Sequence, residues 1–135
     1  MRRSITVAGA SGGLLMLGVL LTGCISGTSY AVLDREAEAA DALPGAVETE
    51  LLEPETARFV GEDDGASLWL VRGVEASTIC LVAYRSDDAW VSGCSGEGGG
   101  LAVRGEVGSW EVAPDGAPAP AGTRKLFDNI FIPER

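Results

Sequence analysis

Cys80 and Cys94 are the side chains in this sequence with the clearest chemistry open to them, and that chemistry is with each other. If the chain folds back about Asp87, Tyr84 comes to face Trp90, Val82 faces Ser92 and Cys80 faces Cys94. Directly opposed cross-strand residues have Cα atoms about 4.5–5.5 Å apart, within the range a disulfide accepts. Closing a loop of about 15 residues is worth roughly 3 kcal/mol in the chain-entropy model, a large share of a small domain's stability. A zinc site is the alternative for two thiolates, but with no histidine in the chain the ligand set is poor. The same lack removes Ser-His-Asp and Cys-His nucleophile activation and the usual proton shuttle at neutral pH. Lys125 is the one lysine, and it follows Arg124 near the end of the chain, where a solvated surface position is expected rather than a Ser-Lys dyad.

Other clusters are weaker. Gly93-Cys94-Ser95-Gly96-Glu97 has the residue content of a serine-hydrolase elbow but not its order, since Glu97 stands where Gly-x-Ser-x-Gly requires glycine. No Gly-Lys-Ser/Thr follows to hold a phosphate, so the glycine run reads as a hairpin connection. Glu62-Asp63-Asp64 offers carboxylates to a cation such as calcium, yet without the alternating spacing of a calcium loop, and a charged hairpin tip is expected there. Asp87-Asp88 reads the same way. Trp90, Tyr84 and Trp69 are the candidates for a ligand patch, with Trp110 as a further aromatic, although in a small β domain such rings mostly fill the core. Neither a metal nor a cofactor is expected.

The elements that must position these residues are short. Tyr30 to Leu43 is expected as a helix, with Ser29 as cap, a thin stripe of Tyr30, Leu33, Ala37 and Ala40, and Pro44-Gly45 as its stop. Glu48 to Glu55 alternates acids with Leu51 and Leu52, and Pro54 discourages a helix. From Thr56 the pattern changes to β runs separated by turn residues: Arg58 to Val60, an Asp64-Gly65 hairpin turn, Ser67 to Arg72, Thr78 to Tyr84, Ala89 to Ser92, Leu101 to Arg104 and Ser109 to Val112. Ala113 to Gly122 reads as an extended connector, and Ile130 to Ile132 as a closing strand. The expected fold is mainly β: a small antiparallel sheet, sandwich or part-barrel, with one short N-terminal helix and a helical signal segment. There is no internal repeat.

Charge narrows the partners. The chain carries a formal net charge of −10. Beyond Cys24 eight Lys/Arg stand against twenty Asp/Glu, which argues against nucleic acid and against adsorption to anionic lipid. Eleven of those acids lie between Asp34 and Asp64 against Arg35 and Arg58 alone, so this front segment reads as a self-repelling spacer.

Met1 to Ser4 is a short positive region, and an uncharged stretch from Ile5 follows, with Leu14 to Leu17 and Val19 to Leu21 at its apolar centre. It ends in Leu21-Thr22-Gly23-Cys24, which resembles the lipobox of bacterial lipoproteins. The resemblance implies a diacylglyceryl group on the Cys24 thiol and cleavage just before that residue. The uncharged run from Ser4 to Leu33 is also long enough to cross a bilayer, which leaves open an uncut transmembrane anchor; either way the charged end stays inside. Two acyl chains would hold the protein stably at the membrane, with everything after Cys24 outside the cytoplasm. The runs Trp69 to Gly73, Cys80 to Val82 and Trp90 to Cys94 resemble small exported proteins of high-GC Gram-positive bacteria, a likeness that covers Tyr30 to the end and implies no site.

The expected organisation is therefore a signal peptide over 1–23, a lipid-anchored tether with short helix and acidic spacer over 24–55, and a small β domain over 56–135. The expected role is a non-catalytic binding or accessory module of the cell envelope, partnered by the membrane through its anchor and by an envelope protein. A small-ligand or cation receptor using the acidic turn and the aromatics is the alternative.

Overall fold

A computed structural model of the chain describes residues 29–135. The leader, with the expected helical signal segment and Cys24, lies outside the described residues. Eight strands form two antiparallel sheets. The first is a meander of β1 (Leu52–Asp63), β2 (Ala66–Gly73), β3 (Thr78–Ser86) and β4 (Ala89–Gly96). The second holds β5 (Leu101–Gly105), β6 (Gly108–Val112), β7 (Thr123–Phe127) and β8 (Ile130–Pro133) in the order β5-β6-β8-β7.

Strand alternation divides the apolar residues between two cores. Leu68 and Leu70 of β2 with Leu81 and Ala83 of β3 point toward the second sheet, where they meet Val103, Trp110, Val112 and Ile130. Trp69, Val71, Cys80 and Val82 point the other way, into a second cluster with Val47, Leu52 and Ala57. The central strands β2 and β3 are thus buried on both faces, which is why their sequences read as near-continuous apolar runs. The expected Asp-Gly hairpin joins β1 to β2: Asp64 and Gly65 have φ of +47° and +79°, the paired left-handed conformations of a primed turn.

The segment before β1 departs from expectation. Over Tyr30 to Leu43 two 3-10 turns, Ala31–Asp34 and Ala39–Asp41, flank extended backbone at Arg35 and Glu38 in place of one continuous helix. The reason lies in Asp41. Its carboxylate accepts the Glu38 and Phe59 backbone N–H groups, each at 2.7 Å, and a two-pronged contact from the Arg35 guanidinium at 2.6 and 2.7 Å. Four charge-assisted bonds of this kind outweigh the weak preference of a thinly apolar helix.

The residues before β1 also contribute to the cores. Tyr30 and Leu33 enter the core between the sheets, and Val47 caps the outer cluster. The β region begins at Leu52 rather than Thr56, with Pro54 accommodated where the β1–β2 register breaks between Glu53 and Arg58. Strand β7 has no counterpart among the expected elements, because Arg124 and Lys125 give it the polarity of a loop.

Candidate functional site

The outer face of the first sheet collects the residues of interest. The β3–β4 register pairs Tyr84 with Trp90, Val82 with Ser92 and Cys80 with Cys94, as folding about Asp87 requires. Cys80 and Cys94 are disulfide-bonded, with Cα atoms 4.0 Å apart. Cys80 is fully buried and Cys94 exposed, so the bond joins the outer cluster to the sheet's margin.

The three expected patch residues share this face but differ in access. Trp69 is 6% exposed; its indole N–H donates to the Ala40 carbonyl at 3.3 Å, and its ring meets Phe59 edge-on at 5.5 Å. It therefore serves to fasten the N-terminal segment. Tyr84 packs on the outer cluster and donates its hydroxyl to the Asp87 carboxylate at 2.6 Å. That bond, then burial and the Asp87 charge, raise the pKa of the phenol above the ordinary tyrosine value. Trp90 is half-buried on the same cluster and faces a groove of about 340 Å³ lined by Glu48, Glu50, Leu51, Gly93 and Cys94. Trp110 belongs to the inner core, where its indole N–H donates to Asp63 at 2.9 Å.

Apolar surface the sequence reading missed adjoins this groove. Leu51 is 70% exposed and Val74 53%, and the Val74 N–H donates to the Leu51 carbonyl at 3.1 Å, so the two lie side by side. Their signal was faint: Leu51 sits in an acidic alternation, and Val74 follows the end of a strand.

The interior polar groups are committed to holding the domain together. Arg58 donates to the carbonyls of Arg35, Glu55 and Ala57 at 2.9, 3.1 and 2.7 Å. Asn129 donates to the Ala113 carbonyl at 3.0 Å and to Asp115 at 2.8 Å, while Asp115 also takes the Ala31 N–H at 2.8 Å and the Ser29 hydroxyl at 3.2 Å. Burial raises the Asp115 pKa, but the hydrogen bonds from Asn129, Ala31 and Ser29 outweigh it and leave the carboxyl below its ordinary value. A hollow of about 560 Å³ where the N-terminal segment passes β1 includes Asp41, whose oxygens are taken by the bonds described above.

The remaining candidates are dispersed. Glu62 accepts from the Ser67 hydroxyl at 3.4 Å, Asp63 from Trp110, and Asp64 occupies the left-handed turn; among the described residues no group of three His, Cys, Asp or Glu is arranged to hold a metal ion. Gly93 to Gly96 lies within β4, not at a strand-to-helix elbow, and a Cβ at Gly93 would meet Val103 of the facing sheet at 2.9 Å. Lys125 forms a surface ion pair with Asp128 at 3.2 Å. Comparison with protein-family models, curated proteins and solved structures finds no match for this chain.

Proposed function

We propose that this chain is a non-catalytic binding module of the cell envelope, anchored through a lipidated Cys24 and displayed on the outer face of the membrane. One observation carries the binding reading. The buried polar side chains bond to partners that hold the fold, while Trp90, Leu51 and Val74 leave apolar surface open beside unpaired carboxylates. Exposed apolar surface rimmed by polar groups is what a partner covers. A cross-strand disulfide suits an oxidising compartment, in keeping with an exported chain.

The reading is tested in intact cells with a carboxyl-activating crosslinker, which would join the module's many acids to a partner's amines. The full chain should yield a discrete crosslinked species, and the triple variant Leu51→Ser, Val74→Ser, Trp90→Ala should lose it while keeping a cooperative thermal melt. An unchanged crosslinking pattern in that variant would contradict the proposal.

A further inference from the structure

Of the four strands at the margins of the two sheets, three carry features that discourage pairing with another chain. In β1 there are two register breaks and Pro54. Its outward-facing Phe59 is also capped, the N–H by Asp41 at 2.7 Å and the carbonyl by Arg35 at 3.4 Å. Strand β5 carries Arg104, and β7 carries Arg124 and Lys125. Charges, proline and bulges of this kind are the usual means of blunting a sheet edge. Strand β4, Ala-Trp-Val-Ser-Gly-Cys-Ser-Gly, has no charge and no proline along its eight residues.

Its open hydrogen-bonding groups follow from the disulfide. A Cα separation of 4.0 Å at Cys80–Cys94 marks the narrow, non-hydrogen-bonded kind of antiparallel pair. The N–H and C=O of Cys94 therefore point away from β3, and by alternation so do those of Ser92 and Trp90. β4 ends its sheet and pairs only with β3, and among the described residues no turn or loop backbone bond reaches these six groups. They form a row of alternating donors and acceptors at i, i+2 and i+4, the template that an added strand uses.

The surroundings say what kind of strand fits. On the outer side the groove beside Trp90 and Cys94 is lined by Glu48 and Glu50, both exposed and without an ion pair among the described residues. Asp87 and Asp88 stand exposed at the β3–β4 turn, at one end of the row. On the inner side the added strand would run beside half-buried Val91, which packs on the inner core and faces Gly105 of β5, where an added Cβ would lie 3.6 Å from it. A second copy of the chain would set Glu48 and Glu50 against their own counterparts, an arrangement of like charges. We infer that the free edge of β4 accepts an extended segment of a partner protein whose side chains alternate between basic, toward Glu48 and Glu50, and apolar, toward Val91. This deepens the binding-module reading and rests on it, but does not depend on the anchor.

The test uses the full chain extracted in a neutral detergent, probed by site-resolved amide hydrogen exchange. The probe is a terminally blocked peptide of about ten residues alternating lysine with valine, with a glutamate–valine peptide as control. At millimolar concentration the lysine peptide should slow exchange at Trp90, Ser92 and Cys94 roughly tenfold, and the glutamate peptide should not. Glu48→Gln with Glu50→Gln should weaken the effect several-fold, as should salt near about 0.5 M. Ser92→Pro, which removes an edge N–H, should abolish it; if that variant unfolds, the glutamine pair carries the same decision. Absence of protection by the lysine peptide overturns the inference, as does equal protection by both peptides. If the three amides are protected without peptide and the chain sediments as a dimer, the occupant is a second copy and the proposed partner is wrong. In each of those cases the crosslinked species dependent on Leu51, Val74 and Trp90 would still support the broader binding reading.

Discussion

Asp41 is where a single side chain decides most. Each of its oxygens accepts two hydrogen bonds, one from Arg35 and one from a backbone N–H, and the residue is only 3% exposed. The Arg35 hydrogen bonds, set against burial and helped by the Glu38 and Phe59 amides, hold its carboxyl far below the usual carboxylate range. Removing the acceptor leaves buried donors unpaired, so Asp41→Ala should cost about 2–3 kcal/mol in a urea melt at neutral pH. The pH dependence has a defined sign. A depressed folded pKa contributes stability that is complete above the unfolded value, near about 4, and lost as pH falls toward the folded one. Asp115, depressed by its own hydrogen bonds, acts in the same direction. Unfolding free energy of the native chain should therefore drop steadily below about pH 4, and Asp41→Asn should flatten that slope while lowering the plateau. A variant with an unaltered slope would show that Asp41 does not fasten the segment. None of this was legible beforehand, because an aspartate in a run of acids gives no sign of which amides will find it.

At the scale of elements, the β3–β4 hairpin was readable residue by residue. Alternation fixes which residues share a face, and a turn at Asp87-Asp88 then dictates that Cys80 meets Cys94. Replacing both cysteines with alanine should lower stability by roughly 3 kcal/mol and leave the register intact. Loss of sheet structure altogether would mean that the bond, and not side-chain alternation, sets that register. The N-terminal segment and β7 were not readable for a shared reason. Their positions depend on groups distant in sequence: Arg35 and Asp41 on Phe59, Ser29 on Asp115, and Arg124 and Lys125 on β8. Gly61 shows the same dependence. At φ +145° in β1, it lies beneath Phe127 of β7, whose ring would come within 2.3 Å of an added Cβ. Gly61→Ala should destabilise the fold by about 1–3 kcal/mol through overpacking and strain, whereas Gly45→Ala, with nothing within 4 Å, should be nearly neutral. Comparable melting temperatures for the two variants would contradict the packing of β7 on β1.

For the molecule as a whole, charge and core are arranged on different principles. The apolar residues form two clusters on either side of the first sheet, and the acids sit mostly on exposed backbone around it. Glu48, Glu50, Glu53 and Glu55 make no ion pair among the described residues, so changing all four to glutamine should move thermal stability little. The same change should weaken whatever occupies the β4 edge. Stability and binding are thereby separable in one variant. The central claim, an anchored and disulfide-stapled module outside the cytoplasm, is tested most directly by intact mass spectrometry of the protein extracted from membranes without reductant. The account predicts a chain that begins at Cys24, carries a diacylglyceryl group there, and lacks the two hydrogens removed when Cys80 and Cys94 join. A mature chain that begins at Met1 without lipid, or one with both thiols free, would contradict it.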